Sequence, residues 1–442
     1  MVASLLTSHE TQEKPFHVSI LFTSFLMKIV GLWLAKDKEE QRVRDLTLIY
    51  TVIAILFGVW VQTRDFYYSW PNFGDCAYTA CNLLCLSMCL LKLGVVFMQR
   101  EEFIDLLLYT HEKFWHSNYD ASESALLGNC KQICTLFLAI INVCAQGTIV
   151  SYVLTPIVAN FGRNGSDRVL PFNMWVRLPL SVSPYYEIVF VLQVLSLYHI
   201  GVCYVCFDNL LCLINLHAAT QFRILQYRMR NLCGQANTRS LEDGTSNELP
   251  LNYAETCYAS FKNCVRQHQA HIQYCYKIED IFTKILLGHV LVFSLLLCLV
   301  GYQTFLVFHG NTSPTRRLIF IFCGTGSICQ LLLFTYSCDG LIEESVNVGA
   351  AVYSGPWVHL PTSKLGRLLR KDLMIVIIRS QKPCCLTASG FFPVSLETCT
   401  KVFNHFLLKS LSHRSNTSAL KLSVPGSQYC HVLLYSTKAV YG

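Results

Sequence analysis

Seven side chains in this 442-residue chain are of types that could hold a small organic molecule: Tyr78 and Asn82, Thr148 and Tyr152, and Tyr186, Phe190 and Gln193. Within each group the spacing of three or four residues places the side chains on one face of a helix. Together they could line an apolar cavity for a small volatile ligand. Dispersion and area burial would supply affinity, and a few hydroxyls and amides would supply orientation. The same residue types also form the aromatic belt at a membrane interface or join neighbouring helices through polar contacts. For any single residue that plainer use stays open.

Other reactive residues point less far. Cys264, His268 and His271 recur at helical spacing, but a fourth ligand at convincing spacing is missing, so they read as solvated or interface side chains and no metal is expected. Cys384 and Cys385 are adjacent and lack the C-x-x-C spacing of a redox pair. No Ser-His-Asp, HExxH or phosphate-loop pattern stands out, so neither an enzyme nor a cofactor is expected.

The elements that must position these residues follow from composition. With mean hydropathy +0.39, 52% hydrophobic and 14% charged residues, the chain has too few polar side chains to cover a soluble particle of its size. An all-α, polytopic membrane bundle is expected, with membrane lipid as its surroundings. The opening residues "MVASLLTSHETQEK" lack the basic start and short apolar core of a cleaved signal peptide. Most of the 22 Cys lie in apolar runs such as "CNLLCLSMCLL", where a thiol packs as a small hydrophobe. Basic residues fall in short clusters between apolar segments, which excludes a nucleic-acid-binding domain.

Six apolar runs are long enough to cross a hydrocarbon core: 46–62, 76–98 with Lys92 near its end, 133–158, 188–207, 285–308 and 318–336. The earlier run "VSILFTSFLMKIVGLWLA" carries Lys28 at its centre and suits an interfacial helix. The resulting organisation is an N-terminal segment 1–45, a six-span bundle 46–337 with a helical loop 211–280, helices over 338–400, and a tail 401–442. The N-terminal segment and the even-numbered loops hold about 22 Lys and Arg against about 6 in the odd-numbered loops. A cytoplasmic N-terminus follows, the reverse of G-protein-coupled receptors. The glycosylation tripeptides at Asn164 and Asn311 both fall in loops that this orientation puts outside.

Several stretches resemble the insect odorant receptor family: "LPFNMWVRLPLSVSPYYEIVFVLQ", "CFDNLLCLINLHAATQFRILQYRM", "YSCDGLIEESVNVGAAVYSGPW" and "LMIVIIRSQKPCCLTASGFFPVSLETC". The resemblance implies seven membrane helices, an odorant pocket in the outer bundle, residence in the cell membrane of olfactory sensory neurons, and a ligand-gated cation channel formed as a hetero-tetramer with a co-receptor subunit. It also assigns subunit contacts to Glu343, Glu344, Trp357, Leu373, Ile377 and Arg379. After "SLETCTKV" family members continue into a pore-lining seventh span. Here Lys409, Arg414, Lys421, Pro425 and Gly426 interrupt the sequence, and no charge-free run of about 20 apolar residues remains. The seventh span is therefore expected to be degraded. The alternative function is an assembly-competent but non-conducting receptor variant, an interaction protein.

Overall fold

The computed structural model describes residues 17–35, 37–70, 72–115, 118–161, 168–176, 182–232, 253–309, 314–355 and 364–401. Asn164, Asn311, Trp357 and the tail from Val402 onward lie outside the described residues.

Apolar periodicity and local end signals give nine helices among these residues: α1 (Val18–Val30), α2 (Lys38–Ser69), α3 (Phe73–Met98), α4 (Arg100–Thr110), α5 (Ala121–Asn160), α6 (Tyr185–Arg230), α7 (Tyr253–His309), α8 (Pro314–Tyr353) and α9 (Lys364–Ser380). Asn72 caps α3 by accepting the Gly74 N–H at 3.1 Å. Asp120 and Glu123 close a reciprocal capping box at the start of α5. α1 ends at Gly31, whose φ of 86° lies in the left-handed region. A Cβ there would stand 2.6 Å from the Arg44 carbonyl oxygen, so glycine also permits the close approach of α2. No strand forms among the described residues. The nearest equivalent is a single bridge between Thr387 and Pro393.

Six helices, α2, α3, α5, α6, α7 and α8, are long and apolar enough to cross a membrane. Their outward faces carry exposed Val143, Val150, Leu154, Ile188, Leu192, Leu195 and Leu295. Such a surface is stable only against hydrocarbon, and helices satisfy their own backbone groups there. The protein is a multi-pass membrane bundle.

α6 is its central post. Every residue from 205 to 222 is buried, as expected for a helix surrounded on all sides. α8, α5, α1 and α7 pack on it, while α3 pairs with α7 and α2 with α3. The helical halves of the long loop are continuations of α6 and α7 beyond their apolar spans. α1 buries Ile20, Leu26, Met27 and Val30 and leaves Val18, Leu21, Phe22 and Phe25 exposed.

Ion pairs tie the helices together at the end of the bundle that carries α9. Arg228 makes two hydrogen bonds to the Glu123 carboxylate, at 2.6 and 2.9 Å. Glu344 is buried and accepts from Arg223 Nε at 2.6 Å and Gln226 Nε2 at 2.8 Å. Glu344 is thus committed to α6 of its own chain, whereas Glu343 is exposed. On α9, Leu373 is buried, Ile377 packs against the same core, and Arg379 reaches Tyr276 Oη at 3.5 Å. The large apolar residues that α9 leaves exposed are Leu368, Met374, Ile375 and Ile378.

His268 and His271 depart from the solvated reading. His268 is buried, and both rings pack edge-on against Phe222, with Phe114 also against His271. The cause is tertiary. α7 lies between α6 and the π-helical turn His111–Trp115 that follows α4, and periodicity within α7 alone carries no sign of either neighbour.

Candidate ligand cavity

A cavity of about 190 Å³ opens between α2, α3, α5, α6, α7 and α8. Four of the residues singled out by type and spacing line it: Asn82, Thr148, Tyr152 and Gln193. Most of the wall is apolar, built by Phe57, Ile141, Ile149, Phe172, Ile200, Val300, Phe320 and Phe322.

The polar groups among these residues already have partners within the protein. Tyr152 donates its hydroxyl to Asn82 Oδ1 at 2.7 Å, and Asn82 Nδ2 reaches Gln62 Oε1 at 3.4 Å. Thr148 donates back to the Cys144 carbonyl at 2.9 Å, one turn earlier. Gln193 forms a two-point clamp on the backbone of Phe172. Its Nε2 donates to the Phe172 carbonyl and its Oε1 accepts the Phe172 N–H, both at 3.0 Å. That clamp places the Phe172 ring against Tyr152, with centroids 5.4 Å apart. Tyr78 stands one contact back, packing on Tyr152 and Phe320 at 6.2 and 5.9 Å.

Tyr186 and Phe190 pack on each other and are not part of the cavity wall. Tyr186 serves the segment 168–176 that carries Phe172. Asn160 Nδ2 donates to Tyr186 Oη at 2.8 Å and to the Val169 carbonyl at 2.9 Å, while Asn160 Oδ1 accepts the Val169 N–H at 2.7 Å. Further along, Asp65 accepts from Trp175 Nε1 at 3.0 Å and from Asn173 Nδ2 at 3.3 Å. Three side chains, Asn160, Gln193 and Asp65, therefore fasten this segment to α5, α6 and α2. Phe172 belongs to the wall only because of that fastening, and its position in the chain carries no periodic signal. Phe57, Phe320 and Phe322 sit in uniformly apolar spans where one face looks like another.

The inner wall of the cavity touches a buried charge cluster. Lys92 is 0% exposed and Asp208 2%, and Lys92 Nζ lies 2.9 Å from both carboxylate oxygens. Lys92 Nζ also donates to the Tyr204 carbonyl at 2.8 Å and sits 4.6 Å from the centroid of the Tyr204 ring. His289 Nε2 is 3.0 Å from Asp208 Oδ1 without aligned hydrogen-bond geometry, and Gln330 donates to Asp208 Oδ2. Tyr204 and Gln330 line the cavity themselves. Lys92 was legible only as a charge near the end of a span. Its pairing across α3, α6, α7 and α8 is what makes it tolerable there.

Odorant receptor Or2 of Anopheles gambiae is 27% identical over 240 residues, covering 54% of this chain and 58% of that protein. Odorant receptor 10 of Aedes albopictus is 26% identical over 263 residues, covering 59% and 63%. The match thus spans somewhat less than two thirds of either relative. The fold is similar to that of the olfactory receptor OR5 from Machilis hrabei, solved in complex with eugenol, with a TM-score of 0.72, 13% identity, and coverage of 88% of this chain and 95% of that one. The family model for the 7tm odorant receptor matches residues 72–406, and so the chain belongs to the insect odorant receptor family, a family of receptors and not of enzymes.

Proposed function

We propose that this protein is an odorant receptor subunit of olfactory sensory neurons that takes a small volatile molecule into the cavity beside Tyr152 and Phe172. One observation carries the reading: the cavity is walled mainly by apolar groups, and the polar side chains named above already have partners within the protein. Affinity then comes from buried area and shape. The binding of eugenol by the Machilis hrabei receptor, similar in fold, supports it.

In this reading the N-terminus is cytoplasmic, and the chain assembles with a co-receptor subunit into a hetero-tetrameric cation channel. Ligand binding shifts the channel equilibrium by its differential affinity for open and closed states. Subunit contact falls on the α9 region, where Met374, Ile375 and Ile378 offer an uncovered apolar face beside Ile377 and Arg379. Glu343 is exposed and available to it. Leu373 supports that face from within the chain, while Glu344 is held by Arg223 and Gln226 of α6.

A second reading is favoured by the sequence after Val402, where Lys409, Arg414 and Lys421 interrupt the apolar pattern. Each costs about 2.5–3.5 kcal/mol at a helix centre. A chain lacking a spanning pore helix would assemble without conducting. Co-expression with the co-receptor separates the two readings. A receptor subunit co-purifies with it and gives odorant-evoked current. The assembly-only variant co-purifies and stays silent until a family-type seventh span replaces the residues from Val402 onward. Failure to co-purify counts against both.

A further inference from the structure

Cys130, Cys134 and His217 bring three ligand atoms within 4.8 Å of one another, all buried, at the junction of α5 and α6. Cys130 and Cys134 are one turn apart on α5, with sulfurs 4.0 Å from each other. A tetrahedral zinc with Zn–S bonds of about 2.3 Å requires a sulfur separation of about 3.8 Å. The pair is already close to that spacing.

The histidine supplies an independent sign. His217 Nδ1 lies 2.8 Å from the Leu213 carbonyl oxygen. That oxygen can only accept, so Nδ1 carries the proton and Nε2 presents its lone pair. Nε2 is buried with no hydrogen-bond partner, although an unpartnered buried acceptor costs about 1–3 kcal/mol. A metal-ligating imidazole has this arrangement, with its second nitrogen donating to a backbone carbonyl that fixes the tautomer and ring direction. The Trp115 ring stands edge-on to His217 at 6.1 Å, and Ile20, Leu213 and Leu216 close the surroundings.

We propose that Cys130, Cys134 and His217 fill three positions of a tetrahedral zinc(II) site, a water molecule taking the fourth, and that the ion staples α5 to α6. Binding releases two thiol protons, and two thiolates with a neutral imidazole around a divalent ion sum to zero charge. Neutrality matters at a buried site, where an isolated charge is costly. Copper(I) in the same ligand set would leave a buried net negative charge. The staple would fix the two helices that supply Thr148, Tyr152 and Gln193 to the cavity, on the side away from the ligand. This inference is independent of the odorant reading.

The test uses the full chain purified in detergent without a metal-binding tag, stripped with chelator, and re-equilibrated with zinc(II) or with copper(I) under reductant. Elemental analysis should find about one zinc per folded chain. Cys130→Ser, Cys134→Ser and His217→Gln should each weaken retention at least about tenfold. Cys264→Ser, a buried cysteine beside the histidines of α7, should retain zinc fully. Should the serine variants misfold, wild-type protein loaded with cobalt(II) supplies the second readout, a thiolate-to-metal charge-transfer band with tetrahedral d–d absorption. Absence of zinc retention in folded wild-type chain, retention of copper(I) alone, or zinc loss in Cys264→Ser equal to that in the three variants would overturn the assignment.

Discussion

Removing the Tyr152 ring should weaken odorant binding, and the size of the effect can be worked from its surroundings. The ring lies between Phe172 and Tyr78 and forms part of the cavity wall. If a ligand buries roughly 50–80 Å² of apolar surface on it, at about 25 cal/mol per Å², Tyr152→Ala forfeits about 1.3–2 kcal/mol. Lost aromatic geometry adds about 0.5–1.5 kcal/mol. Together these weaken binding by about twentyfold to a few hundredfold. Because the tail leaves conduction open, the assay should be ligand-induced stabilisation of the purified chain. At an odorant concentration of about 100 times the wild-type Kd, wild type gains about 2.7 kcal/mol, and a hundredfold weaker variant gains about 0.4 kcal/mol. Tyr152→Phe separates the ring from its hydroxyl. It leaves Asn82 Oδ1 without its 2.7 Å donor and lowers basal stability by about 1–3 kcal/mol, yet should keep most of the odorant-dependent gain. Equal odorant-dependent gains in wild type and Tyr152→Ala would refute the placement of the ligand beside this ring.

Gly147→Ala should reshape the cavity from behind. The new Cβ would fall 2.6 Å from Phe322 Cδ1, and Phe322 lines the cavity, so its ring must swing at a cost of about 1–3 kcal/mol. Within a homologous odorant series the affinity order should shift toward smaller members, and an unchanged order would contradict this. Asp208→Asn should destabilise the bundle by about 3–5 kcal/mol by leaving Lys92 buried and unpaired, with Lys92→Met/Asp208→Leu recovering much of the loss. Thermal unfolding in detergent checks it, and a double variant no better than the single would count against the pairing. For orientation, Asn164→Gln and Asn311→Gln should each remove a glycan wherever the site is used, and an N-terminal epitope should be detected only after permeabilisation. Labelling of that epitope on intact cells would reverse the topology.

The six spans were legible because a run of about 20 apolar residues has few uses other than crossing a bilayer. Cavity residues were legible only where a polar or aromatic side chain broke such a run at helical spacing. Asn82, Thr148, Tyr152 and Gln193 did so and meet in the cavity. Tyr186 did so too, and the same feature reflects its hold on Asn160 and Val169. A polar residue in a span must find a partner, and the sequence does not say whether that partner is a ligand, a loop or another helix. Helix ends pose the same problem for charge. Glu344 and Glu343 are adjacent and identical in type, yet one is buried against Arg223 and the other exposed, a difference set by the rotation of α8 against α6.

The polar groups of the cavity also constrain what kind of selectivity it can have. Tyr152 is spent on Asn82, Thr148 on the Cys144 carbonyl, Gln193 on the Phe172 backbone, and Gln330 on Asp208. A ligand hydroxyl that takes one of these partners breaks an existing bond to make its own, so the net gain is a fraction of the about 0.5–1.5 kcal/mol a protein hydrogen bond contributes. Fit against the apolar wall is not offset in this way. A single methylene gained or lost there is worth about 1–3 kcal/mol, and a methyl placed against Phe172 or Phe322 meets a ring held by a backbone clamp in the first case and by Gly147 contact in the second. Shape therefore outweighs polarity in this cavity. Its tuning resides in many apolar side chains at once, each of which looks interchangeable when read along the chain.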